Sequence, residues 1–264
     1  LTQTFASPTT ENIIKNFTEK YSNVEHIIYD AISDSKALDA FEISFGVRAL
    51  PTYDFEKAKV IVSLAADFLG DWQGGGFSKG YAKNRVPKNG KMSKHYQIEA
   101  NMSLSGANAD VRIPLKPSTQ IKALLKIYEN ISGENTGVTL EDKLESNLKT
   151  ISDSLVDAGN SGVFITGIDD VNAQLIALKI NMLIKSRVLN TSKLNLTRQG
   201  DDNKVFSFLN DLKDKKVDGL IMAGVNPSYT LPDNKKFNEA LKSIGFTVSF
   251  SMNNNETAKL SKWV

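Results

Sequence analysis

An α/β fold built on parallel sheets is what this 264-residue sequence predicts, and three observations carry the expectation. The stretch 59–76 reads KVIVSLAADFLGDWQGGG, and residues 60–65 within it are nearly all apolar, led by the β-branched Val60, Ile61 and Val62. A short apolar run without alternation reads as a strand buried on both faces. Strand-like runs alternate with helical patterns of about 10–15 residues, the signature of right-handed βαβ units. The run at 60–65 then stops at Ala66-Asp67 and opens into Gly74-Gly75-Gly76. Ligands of open α/β sheets sit beyond the carboxyl ends of strands, so this loop is the first candidate site.

Taken in order, Ser7-Pro8 starts a helix whose stripe is Ile13, Ile14, Phe17 and Tyr21. A strand over 24–29 ends at Asp30, and a helix over 33–45 carries Leu38, Phe41 and Phe45. After the glycine loop comes a basic, helix-compatible segment, then a strand at 96–100 and a polar loop at 101–110. Residues 111–115 are extended because Pro114 has no place inside a helix. Pro117 opens a long helix bearing Ile121, Leu124, Leu125 and Tyr128. Residues 131–139 read as a linker. A helix lined by Leu144, Leu148, Ile151 and Leu155 follows, stopped by Gly159-Asn160. Strands at 163–166, 217–222 and 247–250 then alternate with helices at 173–184, 205–212 and 237–244, while 190–202 carries no clear pattern. The expected division is a first α/β unit at 1–130, a linker and connecting helix at 131–160, and a second unit at 161–264. Both ends read as cut from a longer polypeptide.

Composition excludes several chemistries. The chain has no cysteine and only His26 and His95, which removes disulfides, thiolate metal sites and cysteine nucleophiles. Either histidine is read as packed, solvated or hydrogen-bonded before it is read as a ligand. No histidine stands where it could activate a serine. A net charge of +2 supplies no strong overall field for nucleic acid. No apolar run reaches the ~18–20 residues of a membrane span.

The glycine loop fails both nucleotide motifs on spacing. Gly74, Gly76 and Gly80 give G-x-G-x-x-x-G, one residue too long for the dinucleotide fingerprint. Gly75 and Gly80 fit the ends of G-x-x-x-x-G, but Tyr81 stands where the phosphate-binding lysine belongs. Asp169-Asp170 after a strand is compatible with Mg²⁺, and equally with helix capping.

Specific blocks nevertheless point to a family. Tyr53-Asp54-Phe55-Glu56-Lys57-Ala58 and the following VIVSLAADFLGDW resemble the strand and loop that embrace a pterin guanine dinucleotide in molybdopterin oxidoreductases. Residues 102–110, running on to Ile113-Pro114-Leu115-Lys116-Pro117, are similar to a second block of that family. Ala223-Gly224-Val225-Asn226-Pro227 with Leu231-Pro232 is similar to a third, in the same order. The branch most resembled is the molybdopterin-oxidoreductase-like part of the iron–sulfur subunit of alternative complex III, a quinol:cytochrome c oxidoreductase. Glu256-Thr257-Ala258 and Trp263 match a further block of it.

The resemblance implies two Rossmann-like units, as in the middle domains of molybdopterin oxidoreductases. It implies Asp67, Trp72, Asp110, Gly224 and Asn226 as a cofactor cleft, vestigial unless a cofactor is bound. Where the family has Pro-Gly-Thr-Asp, this chain has Pro117-Ser118-Thr119-Gln120, and no residue is available as a cysteine ligand. Those departures suit the branch that carries no pterin. The expectation is therefore a non-catalytic scaffold without cofactor, on the periplasmic side. Its partners would be other domains of the same polypeptide and the membrane and cytochrome subunits of a respiratory complex, without nucleic acid and without direct membrane insertion. Iron–sulfur clusters are expected only elsewhere in the full-length chain. The alternatives are a molybdopterin guanine dinucleotide-binding segment of an active molybdoenzyme, or an independent small-ligand-binding α/β domain.

Overall fold

The computed structural model describes residues 1–87 and 89–264. These fall into two compact units, Leu1–Ser35 with Leu196–Val264, and Lys36–Asn195. The division differs from the one expected near 131–160. Residues 133–141 do lack regular structure, but the helices on either side of them pack into one core. A polar, glycine-containing connection between two packed helices looks the same in sequence as a domain linker.

In chain order the larger unit is built from α2 (Ser35–Phe45), β1 (Leu50–Tyr53), β2 (Val60–Leu64), α3 (Ser78–Lys83) and β3 (Lys94–Glu99), after α1 (Pro8–Lys20) of the smaller unit. It continues with α4 (Leu104–Ala107), β4 (Val111–Pro114), α5 (Pro117–Ser132) and α6 (Asp142–Ala158). It closes with β5 (Gly162–Thr166), α7 (Val171–Leu183) and β6 (Leu189–Asn195). The smaller unit resumes with α8 (Asp202–Lys213), β7 (Gly219–Ala223), α9 (Pro227–Thr230), α10 (Asn234–Ser243), β8 (Phe246–Phe250) and α11 (Glu256–Leu260).

The larger unit holds a four-stranded parallel sheet in the order β4-β3-β2-β5, flanked by helices. Period-two alternation divides its side chains between two cores. Val62, Leu64, Tyr96, Ile98 and Phe164 face α5, α6 and α7, meeting Leu124, Ile127, Leu148, Ile151, Leu155 and Ile180. Ile61, Val163 and Ile165 face the other way, into an aromatic cluster with Phe55, Phe68, Phe77 and Tyr81. The helices start and stop as their residues dictate. Pro117 sits in the first turn of α5 and Gly133 ends it at φ 77°, while the Asp170 carboxylate accepts from the Ala173 N–H to cap α7. Capping is thus the use the structure makes of Asp170. A separate antiparallel pair, β1 with β6, joins residues about 140 positions apart and has no counterpart in the sequence reading.

The smaller unit carries β7 and β8 in parallel. Thr2 bridges Ile28 on one side and Ala223 of β7 on the other, and Trp263 bridges Val248 beyond β8, all in parallel. The strand expected at 24–29 is reduced to the pairing of Ile27–Tyr29 with Thr2. Ile27, Leu220, Met222, Val205, Phe208, Phe237 and Leu241 form its core against α8 and α10.

These burial patterns make a paired prediction on one helix. Leu124→Ala on α5 removes a side chain with 0% exposure and costs about 2–5 kcal/mol. Ile121→Ala, on the exposed face of α5, changes stability by under about 0.5 kcal/mol. Urea unfolding of both variants checks the assignment of the α5 core face.

Candidate functional site

By topology the larger unit has its ligand position where the chain reverses direction across the sheet. From β2 it moves to β3 and β4 on one side, then returns at β5 on the other. The carboxyl ends of β2 and β5 meet closely there. Ala65 takes the left-handed conformation (φ 58°), and a Cβ placed on Gly167 would lie 2.2 Å from the Ala65 carbonyl oxygen. Protein groups occupy the polar atoms at this mouth. The Trp72 indole N–H donates to the Thr166 carbonyl (3.3 Å), and the Gln174 amide donates to Thr166 and Ile168 carbonyls (3.2 and 2.9 Å).

Asp67 leaves the same strand end and turns toward α4. Its Oδ1 accepts from the Ser105 N–H (2.8 Å) and the Ser105 hydroxyl (2.7 Å), and that hydroxyl accepts in turn from the Leu69 N–H. Gly70 must lack a side chain, since a Cβ there would come within 2.5 Å of Asp67 Oδ2. Asp110 forms a bidentate pair with Arg85 (2.7 and 2.8 Å) and accepts from the His95 N–H. Burial pushes the Asp110 carboxyl up, but the Arg85 and His95 hydrogen bonds outweigh that and hold it below the usual carboxylate range.

Between these acids lies a feature the sequence reading missed. His95, Gln97 and Glu99 occupy alternate positions on one face of β3, and all three are buried. The Gln97 amide donates to the Ala66 carbonyl and to Glu99 Oε2, so its oxygen must accept from His95 Nε2 (3.1 Å). That places the His95 proton on Nε2; its Nδ1 lies 3.2 Å from the Tyr81 hydroxyl, which donates to the Asn108 carbonyl (2.9 Å). Glu99 closes the row, accepting from Ser103 N–H and hydroxyl and from Arg112 Nε (2.6 Å). Burial drives the Glu99 pKa up, and these donors reverse the shift to below normal. Gly106 stands so close that any Cβ would collide with Glu99 Oε1. The available signal was the alternation of polar and apolar residues in HYQIE, which ordinarily marks a half-exposed strand.

In the smaller unit, Gly224 and Asn226 follow β7. Gly224 has φ 69°, and a Cβ there would meet the Gln3 side chain at 2.8 Å. Asn226 joins two short helices. Its Oδ1 accepts from the Thr257 hydroxyl (2.7 Å) and N–H, its Nδ2 donates to Glu256 (2.8 Å), and its carbonyl accepts from Thr230. The five residues singled out from the sequence therefore divide between units, Asp67, Trp72 and Asp110 in the larger, Gly224 and Asn226 in the smaller. Among the described residues no group of three or more His, Asp or Glu is arranged to hold a metal ion. No protein-family model matches the chain, and no curated protein matches it either.

The buried histidine has a measurable consequence. Burial lowers the His95 pKa to about 4 from an ordinary 6.5, so the folded state resists a proton that the unfolded chain accepts. Stability from this residue is complete above pH 6.5 and is lost as pH falls from 6.5 to 4, about 2 kcal/mol between pH 7 and pH 5. Urea unfolding at both pH values gives the slope in the native protein, and His95→Gln flattens it by that amount. Asn226→Ala leaves Glu256 and Thr257 without their partner and lowers stability by about 1–3 kcal/mol. Limited proteolysis of that variant cuts first near α11.

Proposed function

We propose that the chain is a cofactor-free α/β scaffold module similar to the molybdopterin-oxidoreductase-like part of an alternative complex III iron–sulfur subunit. In this role it docks other domains and membrane and cytochrome subunits of a respiratory complex, on the periplasmic side, while electrons travel through clusters elsewhere. One observation carries the reading. The side chains at four of the resembled cofactor positions are engaged by the protein: Asp67 through Oδ1 by Ser105, Asp110 by Arg85, Asn226 by Thr257 and Glu256, Trp72 by Thr166. A pterin guanine dinucleotide needs acceptors for its guanine and ribose donors, and Asp110 and Asn226 would have to share or give up these bonds to supply them. As placed, they do not fit that group. The same residues read naturally as cleft remnants retained to hold the first turns of α4 and α11, where Asp67 accepts from the Ser105 N–H and Asn226 from the Thr257 N–H, and to fix turns.

A second reading is favoured by one atom. Gln73 lies in the glycine loop at φ 50°, is 3% exposed, and its Oε1 has no hydrogen-bond partner among the described residues. A buried acceptor without a donor costs about 1–3 kcal/mol, which a small donor ligand would recover. This supports an independent small-ligand-binding α/β domain.

Two measurements separate the readings. For the scaffold, purified protein yields no molybdenum by elemental analysis and no pterin fluorescence after acid oxidation, and guanine nucleotides leave Tm unchanged. Stoichiometric pterin sinks it. A nucleotide present at 100 times its Kd would add about 2.7 kcal/mol and raise Tm by several degrees, establishing the ligand-binding reading instead.

A further inference from the structure

The sheet of the smaller unit is covered by helices on one face only. The register of β7 and β8 sets Gly219 beside Phe246, Ile221 beside Val248 and Ala223 beside Phe250. Paired residues of a parallel sheet point the same way, so these six share a face. Leu220 and Met222 point the other way, into the core with Val205 of α8, Phe237 of α10 and Leu260 of α11. Trp263 bridges Val248 and carries the first face to its edge. That face is open: Phe250 is 66% exposed, Trp263 64% and Phe246 49%. Parallel sheets ordinarily have both faces covered.

Handedness explains why the helices of this unit leave it so. The steps from β7 to β8 and from β8 to Trp263 go the same way across the sheet. Right-handed crossovers therefore place α10 and α11 together on the Leu220 face. The step from Thr2 to Ile28 goes the opposite way, which puts α1 on the open face, away from β8. There α1 rests through half-buried Thr10, Ile14 and Thr18 and has no fully buried residue. Exposed Ile13 and Phe17 lie beside that line, on the flank that a right-handed helix running back along the strands turns toward β7. α1 is thus the wall of a groove whose floor is Ile221, Phe246, Val248 and Phe250.

The dimensions of the groove select its occupant. Five residues of strand span about 17 Å, which about 11 residues of helix match. The exposed apolar side chains of floor, edge and wall offer roughly 600 Å², below the ~800 Å² per partner of a stable dimer but on the scale of one helix laid in a groove. A second copy's α1 does not suit, because its outward face carries Asn12, Asn16 and Glu19. We propose that this groove docks an amphipathic α-helix of a protein partner, its apolar stripe on Phe246, Val248 and Phe250 and its flank against Ile13 and Phe17. The inference rests on the scaffold reading and names a docking surface for it.

A tethered helix tests the groove. An idealised helix with leucines at i, i+3, i+4, i+7 and i+8, and Glu, Gln and Lys elsewhere, is joined after Val264 of the full chain. A Gly/Ser linker of about eight residues reaches about 16 Å and keeps the helix at high local concentration. The patterned helix moves Trp263 emission to the blue and raises Tm by several degrees, and a helix of the same composition with its leucines spread around the axis does neither. Trp263→Phe removes the emission change. Phe250→Ser and Phe17→Ser each abolish most of the gain in Tm, while Phe206→Ser, at an exposed position of α8, leaves it intact. Thermal unfolding of each variant without the tether shows that it is folded. Equal gains from both helices, or a gain that survives Phe250→Ser and Phe17→Ser, would overturn the proposal. So would a dimer of the untethered chain in sedimentation equilibrium that Phe250→Ser dissolves, which would assign the face to a second copy. None of these outcomes depends on pterin or molybdenum content, so loss of the scaffold reading and loss of the groove are told apart.

Discussion

A row of polar side chains inside a sheet constrains everything packed upon it, because each buried donor and acceptor needs a partner in a particular place. His95, Gln97 and Glu99 make such a row on β3. Their demands position Tyr81 of α3 at one end, the Ala66 carbonyl at the middle, and Ser103 and Arg112 at the other. Through Asp110 the row also fixes Arg85 and with it the base of the 85–93 loop. The opposite face of the same strand, Tyr96 and Ile98, packs in an ordinary apolar core. One strand thus joins a hydrophobic layer, which supplies stability, to a polar layer, which admits few alternative arrangements.

The same economy explains why the cleft-forming positions are engaged. At the switch point between β2 and β5 the backbones approach until only glycine fits at 167, and Trp72 and Gln174 cover the exposed carbonyls. Beside it, Asp67 and Asp110 are held by donors from the protein. An α/β crevice of this kind can be retained for the fold it organises after its polar groups have turned inward.

Legibility varied with how local the causes were. The helix starting at Pro117, the helix ending at Gly159 and the strand ending at Thr166 were readable because capping residues and apolar period act within a few positions. The β1–β6 pair was not, since four residues at 50–53 find their partner near 190 and neither segment has a strong pattern alone. The polar loop at 131–139 imitated a domain boundary for the opposite reason: its local composition says flexible connection, while the contacts that unite α5 and α6 are distant in sequence. At the candidate sites, Asp67 and Asn226 were visible as residue types after strands and Asp110 through the resembled block, but not the atoms that hold them. Gly106 was unreadable altogether, because the need for glycine there arises from the Glu99 carboxylate on the preceding strand.

From the residues alone come the α/β class, the order of most helices and strands, and the absence of thiol and histidine-rich metal chemistry. Those properties follow from periodicity, caps and composition, which are written in neighbouring positions. Whether the alternating HYQIE strand turned its polar face to water or to protein is not written there. Nor is the occupation of the loop after residues 60–65, which began as the natural ligand position. Both depend on which distant segments arrive to cover them. In the folded chain α3, α4 and β4 arrive, so the polar face is buried and satisfied, and the loop's carboxylate is already bound to a serine.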